Sequence, residues 1–265
     1  MHLHAFKYIS IFYTTVYMEY YINNFNNFDK IIVYDFKLGD GGIGDYLKFF
    51  MIILTKCMCN NTKFYCKKNN TEIEKYIKVK YDFFYVSSED ISKFKNIEIK
   101  RPYHYYNDDK YTGNISLNEV FYFDNIVKTN VKNILPSLPN KYISLHLRLG
   151  DKFLETDKRF IQCKTDKRSY SEENIYNFIE NNNDKNIIFF CDNYNYKSKI
   201  KKKYKKVIIT GAEIGHTSLY NTTNKQVLDA VTEFYILSNS MLIYAASYSG
   251  FSNMSSKFNN VKYVQ

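Results

Sequence analysis

The chain has 265 residues and a formal net charge of +10, with 45% hydrophobic and 24% charged residues. Those proportions exclude a disordered chain and supply a core for two small domains or one large one. Three prolines and nine glycines exclude collagen-like and proline-rich classes.

The surplus of Asn, Lys, Ile, Tyr and Phe resembles AT-rich coding, so lysine content alone is no functional signal. The cysteines are Cys57, Cys59, Cys66, Cys163 and Cys191. They form no C-x-x-C pair and no His-x-x-x-His follows, so no structural zinc site is expected. Reduced, mostly core cysteines point to an intracellular, cytoplasmic protein.

Residues 1–30 carry no clear pattern. No run reaches the ~18 uncharged apolar residues of a spanning helix. The apolar stretch Tyr8–Met18 reads as a buried β element, with a weak N-terminal anchor as the alternative. Ile31–Phe36 predicts a strand, and Tyr46–Leu54 a largely buried helix. Gly39, Gly41 and Gly44 lie between them in a G-x-G-x-x-G spacing. Strand, glycine turn and helix open a βαβ unit. The Gly-Lys-Ser/Thr ending of a P-loop is missing, and so is an acid about 20 residues on, where a dinucleotide site wants one. What remains is a tight turn, for packing or for close backbone approach. Further strands are predicted at Thr62–Cys66, Phe83–Val86 and Ile97–Ile99, and a long loop at 101–116.

Pro136 and Pro139 mark the best domain boundary, giving an N-terminal α/β domain over 1–138 and a second over 139–265. Lys141–Arg148 reads as a strand, 152–170 as a functional loop or disordered excursion, and Ser171–Asn181 as a Ser-capped helix. Asn186–Asp192 and Val207–Gly211 are strands around a Lys-rich helix, Tyr196–Tyr204. An amphipathic helix, Val227–Asn239, precedes the strand Met241–Ala245. A small-residue turn, Ser247–Asn253, leads to a short helix and a last strand at Asn260–Val264. Such alternation predicts a parallel, doubly wound sheet, and two facing halves would enclose a cleft.

Four constellations can carry chemistry. His146 and Arg148 share one face at the end of a strand, where parallel sheets bind ligands. An Arg fork suits phosphate oxygens. The blander reading pairs Arg148 with Asp151 and leaves His146 in the core. Asp192 ends a buried strand, as ligand acceptor or as helix cap. Ser249, Gly250, Phe251 and Ser252 would present helix N-terminal amides to an anion, or simply cap the helix. His216 can reach a ligand or be an ordinary surface histidine. The lysines between Lys197 and Lys206 read as a solvated face; nucleic acid is the disfavoured alternative, because no reader motif accompanies them.

His146-Leu147-Arg148-Leu149-Gly150-Asp151 resembles the H-x-R-x-G-D signature of the fucosyltransferase superfamily, which includes alpha-1,2-, core alpha-1,6- and protein O-fucosyltransferases. Gly41–Asp45, Phe190–Asn193, Leu228–Ser238 and Ser249–Ser252 are similar to its other pieces, in the same order. The resemblance covers roughly residues 31–258. It implies a GT-B-like α/β fold of two Rossmann-like halves, the first on the acceptor side and the second binding the nucleotide sugar. It also implies inverting, metal-independent fucosyl transfer from GDP-fucose to a glycan or protein hydroxyl, without a cofactor. Arg148 would bind the donor diphosphate and aid departure of the leaving group. His146 would shape the donor pocket, Asp192 would contact the nucleoside, and Ser249–Ser252 would hold phosphate. Glu155 is the chosen general base, in competition with Asp151 and Asp157. Leu149 stands where several members carry a second Arg, and Asn253-Met254 where the alpha-1,2 branch has an aromatic pair. The alternatives are a degenerate, non-catalytic nucleotide- or glycan-binding relative, or a GT-B transferase for another nucleotide sugar.

Overall fold

The computed structural model describes residues 18–103, 111, 115–155, 157, 159, 161 and 163–265. Helix α1 is described over 18–24, and Tyr21 fixes it to the sheet. Its hydroxyl donates to the Thr62 carbonyl (2.7 Å) and accepts from the Phe64 amide (2.9 Å). The expected β element or anchor at 8–18 lies outside the described residues except for Met18, which is buried and helical.

Strand β1 (Ile31–Tyr34) leads through the glycine turn into α2 (Ile43–Cys59), whose apolar side chains are buried almost all round. The helix begins three residues earlier than its hydrophobic run, because Gly42 takes the cap position and Asp45 suits the positive first turn. It ends where Asn61 turns left-handed (φ 48°). Strands β2 (Lys63–Lys67), β4 (Tyr85–Val86) and β5 (Ile97–Lys100) join β1 in a parallel sheet of order β4-β2-β1-β5. The short α3 (Glu72–Tyr76) and α4 (Ser88–Lys93) lie between them, each started by a capping box. Strand β3 (Ile77–Val79) pairs antiparallel with β6 (Phe121–Phe123), beyond α5 (Leu117–Val120). Helix α6 (Asn125–Ile134), which was not expected, follows with Asp124 as its cap.

After Pro136 and Pro139 comes β7 (Ile143–Leu147), at the centre of a second parallel sheet. The later elements are α7 (Glu172–Glu180), β8 (Ile187–Cys191), α8 (Tyr194–Lys203), β9 (Ile208–Ile209), α9 (Asn224–Ser238), β10 (Leu242–Ala245), α10 (Gly250–Phe258) and β11 (Lys262–Val264). They match the expected alternation within a few residues. The sheet order is β11-β10-β7-β8-β9. The chain adds β8 and β9 on one side of β7, then returns to add β10 and β11 on the other. The crevice between β7 and β10 is therefore a topological switch point, where such sheets bind ligands.

Apolar residues of α9 and α10, including Val227, Phe234, Met254 and Phe258, enter the core of the first sheet. The two sheets are thus joined by packing as well as by the connection near Pro136. The architecture is the expected α/β arrangement of parallel sheets.

Candidate active site

The loop after β7 is held from three sides. The Arg148 amide donates to Ser247 Oγ (2.9 Å), and that hydroxyl donates back to the Arg148 carbonyl (2.8 Å). This exchange ties the ends of β7 and β10 together at the switch point. Asp192 Oδ1 accepts from the Leu149 amide (2.8 Å) and Oδ2 from the Gly150 amide (3.2 Å). Gly150 has φ 106°, and a Cβ there would lie 2.6 Å from the Asp166 carbonyl oxygen. Only glycine fits both the backbone angle and that approach.

Arg148 is largely buried. One terminal nitrogen, Nη2, donates to Asp151 Oδ1, and the other, Nη1, lies 2.9 Å from Asp192 Oδ2. The expected pairing of Arg148 with Asp151 is therefore present, and it coexists with a place in the cleft wall. Asp192 does not cap α8; Asn193 does, accepting from the Tyr196 amide (2.8 Å).

His146 is 5% exposed and stacks on Phe251, with ring centroids 5.6 Å apart. Its Nδ1 has no hydrogen-bond partner among the described residues. Burial, helped by the Arg148 and Lys197 charges, pushes its pKa down to about 3 from the ordinary 6.5. The unfolded chain takes up that proton below about pH 6.5 and the folded chain does not. His146 therefore favours the folded state above pH 6.5 and loses that advantage as pH falls toward 3, at about 1.4 kcal/mol per pH unit. Denaturant titrations at stepped pH check this. His146→Asn is expected to flatten the slope of stability against pH by one proton; an unchanged slope contradicts it.

Ser249 caps α10, its Oγ accepting from the Phe251 amide (3.3 Å). Ser249, Gly250 and Phe251 line the cleft. Ser252 departs from expectation: it is fully buried and its hydroxyl donates to the Ser249 carbonyl (3.4 Å), as a helical residue facing away from the cleft does. Across the cleft, Gly42, Ile43 and Gly44 bring the N-terminus of α2 to the same wall. Gly44 meets Gly250 so closely that a Cβ on Gly44 would stand 2.5 Å from the Gly250 carbonyl carbon.

Glu155 does not line the cleft. Its carboxylate accepts from the Tyr194 amide (2.9 Å) and from the amide and side chain of Asn195 (3.2 and 2.9 Å). An acid is drawn to the bare amides and positive dipole of a helix start, and α8 supplies both. Asp157 pairs with Arg159.

His216 reaches the cleft wall, where burial and the Arg148 charge push its pKa to about 3. The Ser218 amide donates to its Nδ1 (3.3 Å), so the neutral ring carries its proton on Nε2. The lysine run is less uniform than a solvated face. Lys199 pairs with Glu172, but Lys197 is fully buried, with Nζ 3.1 Å from Glu233 Oε1 and 3.2 Å from Thr210 Oγ1. Glu233 lines the cleft, as do Lys48, Arg168, Glu213 and Lys257. None of these five carries a local sequence signal, since each is one polar residue within a helix or a loop.

The cleft has a volume of about 730 Å³ and is walled by residues following β1, β7, β8 and β10. Among the described residues, no group of three or more His, Cys, Asp or Glu could hold a metal ion. No described helix is long and apolar enough to cross a membrane. No family profile and no curated protein matches the chain. Solved structures do. NodZ alpha-1,6-fucosyltransferase soaked with GDP-fucose superposes with a TM-score of 0.54 at 8% identity, over 86% of this chain and 92% of that one. POFUT1 in complex with GDP gives 0.51 at 10% identity, over 89% and 98%. A mutant of Arabidopsis thaliana FUT1 in complex with GDP gives 0.55 at 8% identity, over 93% and 73%. The fold is the GT-B fold of these fucosyltransferases.

Proposed function

We propose that the chain is a glycosyltransferase that transfers fucose from GDP-fucose, with inversion and without a metal, to a hydroxyl of a glycan or protein. The observation that carries this reading is the convergence of Arg148 and the N-terminal amides of α10 on one cleft at the β7–β10 switch point. A nucleoside diphosphate is the leaving group of such a transfer. Its charge grows as the glycosidic bond breaks, so a fixed guanidinium and preorganised amides favour the transition state over the ground state. His146 and Phe251 offer a stacked, dry wall. Glu233 supports the choice of base. Its carboxylate, 3.1 Å from the buried Lys197 ammonium, complements the adjacent N1–H and N2–H donors of guanine, a pair that uracil, adenine and cytosine do not present. Glu155 is not carried into this reading, because both its oxygens serve the start of α8.

A thermal-shift series with GDP, UDP, ADP and CMP tests the donor. A ligand that prefers the native state raises its melting temperature, by mass action. GDP is expected to stabilise selectively. UDP acting alone would redirect the donor, and GDP binding without any transfer would mark a degenerate transferase.

A further inference from the structure

We propose that Arg168 is a second diphosphate ligand of the cleft, binding with the terminal guanidinium nitrogens that no described residue engages. This rests on the nucleoside-diphosphate reading above and adds a residue to it.

The loop that ends at Arg168 folds back on the His146–Asp151 turn. The Arg168 amide donates to the Leu149 carbonyl (2.9 Å), and the Lys152 amide to the Asp166 carbonyl (3.1 Å). Asp166 Oδ2 accepts from the Asp151 amide (3.1 Å). Gly150 admits this approach by having no Cβ. Residues about 20 apart in sequence are thereby fixed together. Arg168 lines the same cleft as Arg148, and the Asp151 carboxyl lies in the field of both guanidiniums.

The two arginines are prepared differently. Both terminal nitrogens of Arg148 are taken by carboxylates, Asp151 and Asp192. Arg168 is held from behind, with its Nε 3.1 Å from Asp166 Oδ1, and its remaining nitrogens have no partner among the described residues. Its side chain is 39% exposed, on the cleft wall. A guanidinium placed by its backbone hydrogen bond to Leu149 and its ion pair with Asp166, with Nε buried and making no hydrogen bond among the described residues and its outer edge open, is preorganised for an oxyanion. Arg148 keeps one further hydrogen on each terminal nitrogen, but both nitrogens are already oriented by carboxylates. The structure thus divides the work: Arg148 both organises the turn and faces the cleft, and Arg168 adds terminal nitrogens with no partner among the described residues.

Isothermal titration of GDP, guanosine and inorganic pyrophosphate into the wild type, Arg168→Gln and Arg168→Lys tests this. Arg168→Gln is expected to weaken GDP and pyrophosphate binding by about 10- to 100-fold, the worth of a charge-assisted hydrogen-bond pair, and to leave guanosine unchanged. Arg168→Lys keeps the charge, loses the fork and falls between. It also carries the test if the Gln variant does not fold. Equal weakening of all three ligands would assign Arg168 a purely structural role and overturn the proposal. So would undiminished GDP and pyrophosphate affinity in both variants. Failure of the wild type to bind GDP would defeat the donor reading itself, a different outcome from wild-type binding that the variants share.

Discussion

Arg148→Ala is expected to lower turnover by at least ~100-fold, the scale seen when a preorganised donor to a developing anion is lost. Two effects combine. On the proposed function the positive charge beside the departing diphosphate disappears, and two carboxylates lose their shared partner. Asp151 is already pushed above the usual carboxylate range by burial, with Arg148 opposing the rise. Without Arg148 it rises further, and Asp192 is left holding the Leu149 and Gly150 amides alone. The turn then has less reason to keep its shape, so circular dichroism and melting must accompany the kinetics. Under single-turnover conditions the loss belongs to the transfer rate. A folded variant with near-wild-type turnover would remove Arg148 from the mechanism.

The second large effect concerns Lys197, whose ammonium is sealed against Glu233 and Thr210. Lys197→Met is expected to destabilise the chain by about 3–5 kcal/mol, because it strands a carboxylate in a poorly hydrated place. The pair itself need not be strongly stabilising, since both charges lost water to form it. Adding Glu233→Gln should therefore recover much of the loss, and a double-mutant cycle measures the coupling. Denaturant unfolding gives the stabilities. Additive losses would mean that the two side chains do not depend on each other. On the proposed function, the same Met variant also weakens GDP binding, because the Glu233 carboxylate loses the ammonium that holds it in place toward the guanine donors.

Most of the second sheet was legible in the sequence because its strands are continuous apolar runs separated by capped helices. Ser171 and Asn193 start α7 and α8 where polar caps and hydrophobic runs meet. Helix α6 was missed because its Asn- and Lys-rich exterior hides a narrow apolar stripe, Val127, Val131 and Ile134. The candidate site was legible where one local segment carries it, as with His146, Arg148 and Ser249. It was illegible where partners come from distant segments. Nothing near Glu155 announces that the start of α8 will claim its carboxylate. Nothing near Arg168 announces that its amide will reach Leu149. Lys197 looked like one basic residue among several, and only tertiary packing distinguishes it.

The meeting of Gly44 with Gly250 is not symmetrical. A methyl group on Gly250 would find its nearest neighbour, the Gly44 Cα, at an ordinary 3.8 Å, whereas one on Gly44 would be driven into peptide backbone. The gap between the two helix ends is already as small as main chain allows, so changes at Gly44 can act only as a wedge. Gly44 is thus the position at this crossing that only a missing side chain can serve, while Gly250 has room for a methyl group.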